Sequence, residues 1–196
     1  MVRNLFIAPS YRNATIGGAG VTRINGAEAS YQWTLPYFKL DVTVYATTFH
    51  GDSEVRNYYD DIENEYFNMV LTEVDKIHTG VEIGAEWNIT PALTLLAVSS
   101  VNRYTYASDP SVTLLRDKDG VTMLEGARSY LDGYRLSGGP QSAGLLQLRY
   151  RMRGWWYLGA SAQYTGHNYV ALNPVRRMSR AADLAGSPEV RKEMFD

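Results

Sequence analysis

The sequence contains no cysteine, which excludes disulfides, thiolate metal sites and cysteine nucleophiles. It also lacks any run of about 18 consecutive apolar residues, the length that a membrane-spanning helix needs. An excess of one charge is missing too, because 19 Lys and Arg residues are intermixed with 21 Asp and Glu residues. We therefore expect neither a helical membrane anchor nor a basic surface for nucleic-acid binding.

Motifs for catalysis and for resident cofactors are absent as well. The three histidines, His50, His78 and His167, lie on or beside separate predicted strands without carboxylates at metal-ligand spacing. No Gly-x-Ser-x-Gly elbow occurs, and the glycines of 17–20 do not match a phosphate-binding loop. The sequence predicts no enzymatic activity, no metal site and no cofactor.

Aromatic residues and glycine are plentiful, with 15 Tyr, 4 Trp and 17 Gly, a mixture typical of β-rich and interfacial proteins. Apolar and polar residues alternate strictly in several segments, which predicts strands with two chemically different faces. Six strands are predicted, with a seventh candidate near 5–12; the six cover 27–33, 38–47, 77–89, 93–106, 144–152 and 156–167. The polar faces fit either the solvated side of an antiparallel sheet or the lumen of a barrel, and periodicity does not separate the two.

The connections between these strands alternate between short and long. Tight turns are predicted at 35–37, 90–92 and 153–154, whereas 51–75, 108–137 and 168–196 are long and rich in Asp, Asn, Gly, Ser and Tyr. Tight turns at one end and long loops at the other are typical of bacterial outer-membrane barrels. The pattern predicts an all-β fold, an antiparallel up-and-down transmembrane β-barrel whose long segments are extracellular loops.

The tryptophans cluster near the short turns. Trp33, Trp87, Trp155 and Trp156 all lie within about four residues of one, and Tyr37 lies in the first of them. An indole ring favours the headgroup layer, because its body is apolar and its N–H needs a polar partner. We predict that these five residues form a belt at one membrane interface.

One long connection combines carboxylates with tyrosines. The residues concerned are Tyr58, Tyr59, Asp60, Asp61 and Tyr66. Phenol rings beside carboxylates suit contacts with sugars, peptides or cations, so we predict a ligand-binding role for this segment. A solvated loop without a ligand is the alternative.

Several motifs, in this order, resemble the late barrel strands of TonB-dependent outer-membrane receptors. They are Ile24–Trp33 followed by Pro36 and Lys39–Leu40, His78–Trp87 with its Gly80-x-Glu82-x-Gly84 core and the closing Thr90–Pro91, Gly139–Ala143, Trp155–Trp156, Tyr169 and Asn173–Arg177. The likeness covers roughly residues 20–177.

The resemblance implies a large barrel of about 22 strands that holds a plug and imports scarce nutrients, of the siderophore, vitamin or glycan class, with energy from TonB. Six or seven strands do not close a barrel of that size. The sequence contains no plug, TonB box or signal peptide, so we expect 1–196 to be a single barrel segment without plug domain. Its expected partners are outer-membrane lipid, the remainder of the barrel and plug, and TonB through the parent protein.

Two alternatives remain open at this point. One is a soluble β-sandwich or open barrel that binds carbohydrate or lipid, in which the apolar faces would pack on a second sheet. The other is a complete small outer-membrane barrel of about eight strands. The leading expectation is a transport or receptor segment in the bacterial outer membrane.

Overall fold

The computed structural model describes residues 6–7, 14–15, 20–60, 64–152, 154 and 156–178. The described residues form ten β-strands and one short 3₁₀ turn at Pro174–Arg177, and every strand pairing is antiparallel. The strands are β1 (Phe6–Ile7), β2 (Ala14–Thr15), β3 (Arg23–Thr34), β4 (Phe38–Asp60), β5 (Glu65–Thr90), β6 (Leu93–Tyr106), β7 (Ser111–Arg116), β8 (Thr122–Arg128), β9 (Ser142–Arg151) and β10 (Tyr157–Gly166).

The main sheet has eight strands and follows an up-and-down path. Its order is β10-β9-β6-β5-β4-β3, with β7 paired to β5 and β8 paired to β7, while β1 and β2 pair only with each other. In the described part of the chain, β3 and β10 do not pair with one another, so the sheet is open. The predicted all-β antiparallel class is confirmed, and closure into a membrane barrel stays a prediction.

The register aligns the apolar side chains of one side across most of the sheet. Trp33, Leu40, Ala85, Ala97, Leu146 and Ala162 share one row, and the neighbouring rows on that side are mostly apolar. We call this side the apolar face. The opposite side, the polar face, carries the rows of Glu28 with Tyr45, Ser30 with Glu82, and Lys39 with Glu86. A shift of one residue in any pairing would mix the two faces, so the alternation itself specifies the register.

A lobe forms where the β4–β5 hairpin extends beyond β3 and β6. Gly51 (φ 67°) and Glu73 (φ 60°) lie beside the register shifts of this hairpin, and beyond them β5 pairs with β7 instead of β6. The lobe consists of the ends of β4 and β5, strands β7 and β8, and the segments 129–141 and 171–178. Positive φ favours glycine, which explains Gly51 at the bulge.

The buried core lies in this lobe rather than beneath the main sheet. Met69, Leu71, Val74, Tyr106, Val112, Leu114, Leu131 and Met178 form one cluster of buried apolar side chains. Pro174 is also fully buried, and the hydroxyl of Ser129 donates to its carbonyl oxygen at 2.9 Å. Segments that were expected to be irregular therefore supply most of the core.

The prediction that 51–75 and 108–137 are irregular loops is wrong, because both segments contain β-strands. Strands β4 and β5 run through most of 51–75, and 108–137 contains the β7–β8 hairpin. Both are rich in charge, but their apolar residues bury one another in the lobe, and tertiary packing outweighs local composition. Of 168–196, the structure describes 168–178, which has no regular structure apart from the 3₁₀ turn and one bridge at Met178, and the extracellular placement of all three segments stays a prediction.

Two other strand expectations also have outcomes. The ambiguous segment 93–106 forms β6 between β5 and β9. The seventh candidate near 5–12 is described only at Phe6–Ile7, which pairs with β2 and not with the main sheet.

Candidate functional site

The tip of the β4–β5 hairpin carries two of the predicted ligand residues together. Tyr59 lies opposite Tyr66 in the register, and their ring centroids are 4.8 Å apart at an interplanar angle of 58°. Both side chains are exposed, and the Tyr59 hydroxyl donates to the side-chain oxygen of Asn64. A tilted aromatic pair of this kind stabilises a hairpin and also presents ring faces to solvent.

The other predicted ligand residues are not brought into this pair. Tyr58 and Asp60 belong to β4, where their backbones pair with Phe67 and Glu65, and their side chains are outside the described set. Asp61 lies outside the described residues.

A partly buried ionic network lies at the junction of the main sheet and the lobe, and we call it the junction cluster: Asp52, Glu54, Arg56, Lys76 and Tyr106. The Lys76 ammonium lies 2.9 Å from the Asp52 carboxylate and also pairs with Glu54. Arg56 connects Glu54 to Tyr106, since its Nη2 atom lies 2.8 Å from the Glu54 carboxylate and donates at 2.7 Å to the Tyr106 hydroxyl. Its other terminal nitrogen donates to the Leu172 carbonyl oxygen at 3.0 Å.

The charges of the junction cluster are balanced within it. Two carboxylates face two cations, and Asp52 is 1% exposed. Burial alone would raise the pKa of Glu54, but hydrogen bonds and charge from Lys76 and Arg56 outweigh it and hold that pKa below its usual range. Burial alone would lower the pKa of Lys76, but Asp52 and Glu54 raise it. The arrangement fits a structural role, because each charged group is engaged by another member.

We expect acid to weaken the lobe through Glu54. A carboxyl group with a lowered folded-state pKa stabilises the fold fully above its unfolded pKa, about 4.3, and this contribution is lost as pH falls through the folded-state pKa. The pKa of Lys76 is raised in the folded state, so its dependence on pH has the opposite sign. Its contribution to stability persists until pH rises through that raised pKa, above about 10.4.

The measurement is urea unfolding, monitored by tryptophan fluorescence, at several pH values from 7 down to 3. Glu54→Gln should be less stable than the parent at pH 7 and should lose less stability on acidification. An acid dependence in Glu54→Gln as steep as in the parent would contradict the assignment.

A second network crosses the polar face of the main sheet. The Tyr45 hydroxyl donates at 3.0 Å to the Asn102 side-chain oxygen and lies 2.9 Å from the Tyr104 hydroxyl. Tyr45 is on β4 and both partners are on β6, so its ring crosses over β5 at Gly80. A Cβ atom at position 80 would lie 2.6 Å from the Tyr45 ring and 2.2 Å from Asn102 Oδ1. Glycine at this position makes room for the tyrosine.

Gly80→Ala is therefore expected to displace Tyr45 and to lower the free energy of unfolding by about 1–3 kcal/mol, the usual range for overpacking. Gly84→Ala is the matched control on the same strand and face, because a Cβ there meets nothing within 4 Å. Glycine weakens a strand interior, so the control should be neutral or stabilising by about 0.5–1 kcal/mol. Equal effects of the two substitutions in urea unfolding would refute the close-packing argument.

The predicted aromatic belt is exposed at the short-turn end of the sheet. Trp33 is 47% exposed, Trp87 45% and Trp156 76%, and Tyr37 is exposed in the first turn. Trp33 makes an edge contact with Phe38, with ring centroids 6.0 Å apart. Trp155 lies outside the described residues. A membrane interface at this level stays a prediction.

Sequence reasoning missed the junction cluster. Its two acids and the arginine alternate along β4 as Asp52, Glu54 and Arg56, a period of two that indicates a strand. The segment was interpreted as a loop because its residues are charged. This alternation is visible in the sequence, but Lys76, the cation that balances the charge of the two acids, lies 20 residues away from Arg56.

Neither a metal centre nor a helical span is found in the parts that the structure describes. Those residues include no group of three or more His, Asp or Glu side chains that could hold a metal ion. They also include no helix long and apolar enough to cross a membrane. Comparison with known proteins adds no identity, since no protein-family model, curated protein or solved structure matches the chain.

Proposed function

We propose that this chain is a wall segment of a bacterial outer-membrane β-barrel, in a receptor of the TonB-dependent type that imports a scarce nutrient. The main sheet would face outer-membrane lipid with its apolar face and the barrel lumen with its polar face. The remaining strands, the plug and TonB would act through the parent protein.

The exposed apolar face supports this proposal most directly. Large apolar side chains stay in contact with solvent along every long strand; they include Tyr31, Val44, Val81, Ile83, Trp87, Val101, Leu146, Leu148 and Leu158. These side chains are 39–65% exposed, so no second layer of the described residues packs over them. Soluble monomers rarely expose contiguous apolar patches larger than a few hundred Å², so such a face indicates a partner surface or lipid.

The height of the apolar face matches a bilayer. Alternating apolar residues extend over Phe38–Ala46 on β4 and Val81–Ile89 on β5, nine residues each. A membrane-spanning strand needs about 9–11 residues when tilted. Beyond these segments lie the bulges, the junction cluster and the lobe, which would stand outside the hydrocarbon.

The tryptophans define a single line across the sheet. Trp87 on β5 lies one row closer to the tight turns than Trp33 on β3. Trp156, which precedes β10, lies two rows closer to the tight turns than Trp87. Three rows of two residues extend about 20 Å, and the five strand spacings from β3 to β10 extend about 24 Å. The line is therefore inclined by about 40°, which agrees with the 35–45° strand tilt of outer-membrane barrels.

The two ends of the sheet differ as a receptor requires. Tight turns end the sheet beside the tryptophan line, and the lobe extends at the opposite end with the exposed Tyr59 and Tyr66 pair at its tip. An exposed aromatic pair on a projecting hairpin suits the first contact with a ligand at the extracellular side.

Depth-dependent quenching of tryptophan fluorescence tests the proposal. The chain would be folded into vesicles that contain lipids spin-labelled either near the headgroup or near the bilayer centre. We expect quenching by both labels and stronger quenching by the shallow one, because the indoles lie at the interface. Absence of quenching at both depths would contradict membrane insertion.

A further inference from the structure

A groove of about 580 Å³ opens on the polar face at its short-turn end. Its polar lining comes from Glu86, Asn88, Thr94, Arg149 and Arg151, and Tyr37 borders it with the turn residues. Arg149 and Arg151 are two apart on β9 and therefore point to the same face. The volume is within the usual range for a small-ligand site.

Among the described residues, no ion pair or side-chain hydrogen bond joins the Arg149 or Arg151 guanidinium group to another side chain. Both groups are therefore open to a ligand from the described side of the groove. Glu86 is the single carboxylate among the described residues of the lining, and it lies opposite Lys39 in the β4–β5 register. Cations therefore outnumber carboxylates around the groove.

Fixed hydrogen-bond donors add to this positive charge. The Thr94 hydroxyl donates to the Asn88 side-chain oxygen at 2.9 Å, which orients the amide and leaves its N–H groups as donors. The adjoining turn is held as well, because Thr90 Oγ1 accepts from the backbone N–H groups of Ala92 and Leu93. Guanidinium groups bind carboxylate and phosphate oxygens in two-pronged pairs, and a concave site strengthens their field.

From these observations we propose that the groove is an oxyanion-binding site, in which Arg149 and Arg151 hold a carboxylate or phosphate group and Asn88 donates a further hydrogen bond. The groove has room for more than a single ion, so the group would be carried on a larger molecule such as an acidic peptide segment. This inference does not rest on membrane insertion, since it uses only the polar face.

The test is a binding titration on the full chain, folded as verified by circular dichroism. The first probe is a fluorescent peptide of six glutamates, and the second is inorganic phosphate added as a competitor. The double variant Arg149→Gln/Arg151→Gln removes both charges. The matched control, Arg103→Gln/Arg128→Gln, removes two exposed charges on other strands.

We expect the peptide to bind the parent and the control about equally, and the groove variant at least about tenfold more weakly. Displacement of the peptide by phosphate at millimolar concentration would support the site and assign it to oxyanions in general. Persistence of the peptide at that phosphate concentration would support it and assign it to peptide carboxylates. Equal affinities for the peptide in the groove and control variants, or no binding of the peptide to the parent, would overturn the proposal.

Discussion

Replacing Lys76 by methionine is expected to lower the free energy of unfolding by about 3–5 kcal/mol. The ammonium compensates both Asp52 and Glu54, and its removal leaves two carboxylates in a buried site with only Arg56 as a cation. Methionine keeps most of the side-chain volume, so the loss would come from the unpaired charges and not from a cavity.

Lys118→Met is the control, because the Lys118 side chain is 78% exposed and lies 3.9 Å from Glu65. Exposed ion pairs contribute about 0–1 kcal/mol, so this variant should unfold close to the parent in urea. A second variant, Lys76→Met combined with Asp52→Asn, leaves Glu54 paired with Arg56 and should recover part of the stability. Failure of that recovery would show that the unpaired Asp52 carboxylate is not the cause.

Leu71→Ala is expected to cost about 2–5 kcal/mol, because Leu71 is fully buried in the core of the lobe and its truncation leaves a cavity. Leu158→Ala is the matched control on the apolar face, where Leu158 is 63% exposed. Acyl chains or detergent fill the space that the shortened side chain leaves, so no cavity forms and only the free energy of transferring the lost carbons is forfeited; the loss should be clearly smaller than that of Leu71→Ala.

Urea unfolding in detergent micelles compares the two leucines directly. A Leu158→Ala loss as large as that of Leu71→Ala would mean that a protein layer packs on the apolar face. That result would favour the soluble sandwich over the membrane barrel.

Alternation alone predicted much of the main sheet, because each strand there has two faces of different polarity. The segments 38–47 and 77–89 are parts of β4 and β5, and the register pairs their apolar residues row by row. Six strands and their antiparallel order follow from that period and from the tight turns.

The lobe was not predictable in the same way. Its core joins Leu71 and Val112 to Leu131 and Met178, residues far apart in sequence on segments with no common period. The change of partner from β6 to β7 depends on the bulges at Gly51 and Glu73, which no local pattern marks.

The candidate sites, too, were predictable only where local sequence marks their residues. Composition indicated Tyr59 and Tyr66 as ligand candidates, the hairpin register brings their rings together, and their ligand role stays a prediction. The Arg149 and Arg151 groove was predicted only as one polar face, since its Asn88 and Thr94 come from the neighbouring hairpin. Side chains that meet across several strands need the sheet order before they can be recognised as one site.

Contact between the apolar face and hydrocarbon can be tested with spin labels placed one by one along Val81–Glu86 of β5, since the chain has no cysteine of its own to interfere. In lipid vesicles, labels at 81, 83 and 85 should be accessible to dissolved oxygen and shielded from a water-soluble nickel complex. Labels at 82, 84 and 86 should show the reverse, because the side-chain period of a strand is two. Equal access of the nickel complex to both sets, or protection of 81, 83 and 85 from both reagents, would contradict contact between the apolar face and hydrocarbon.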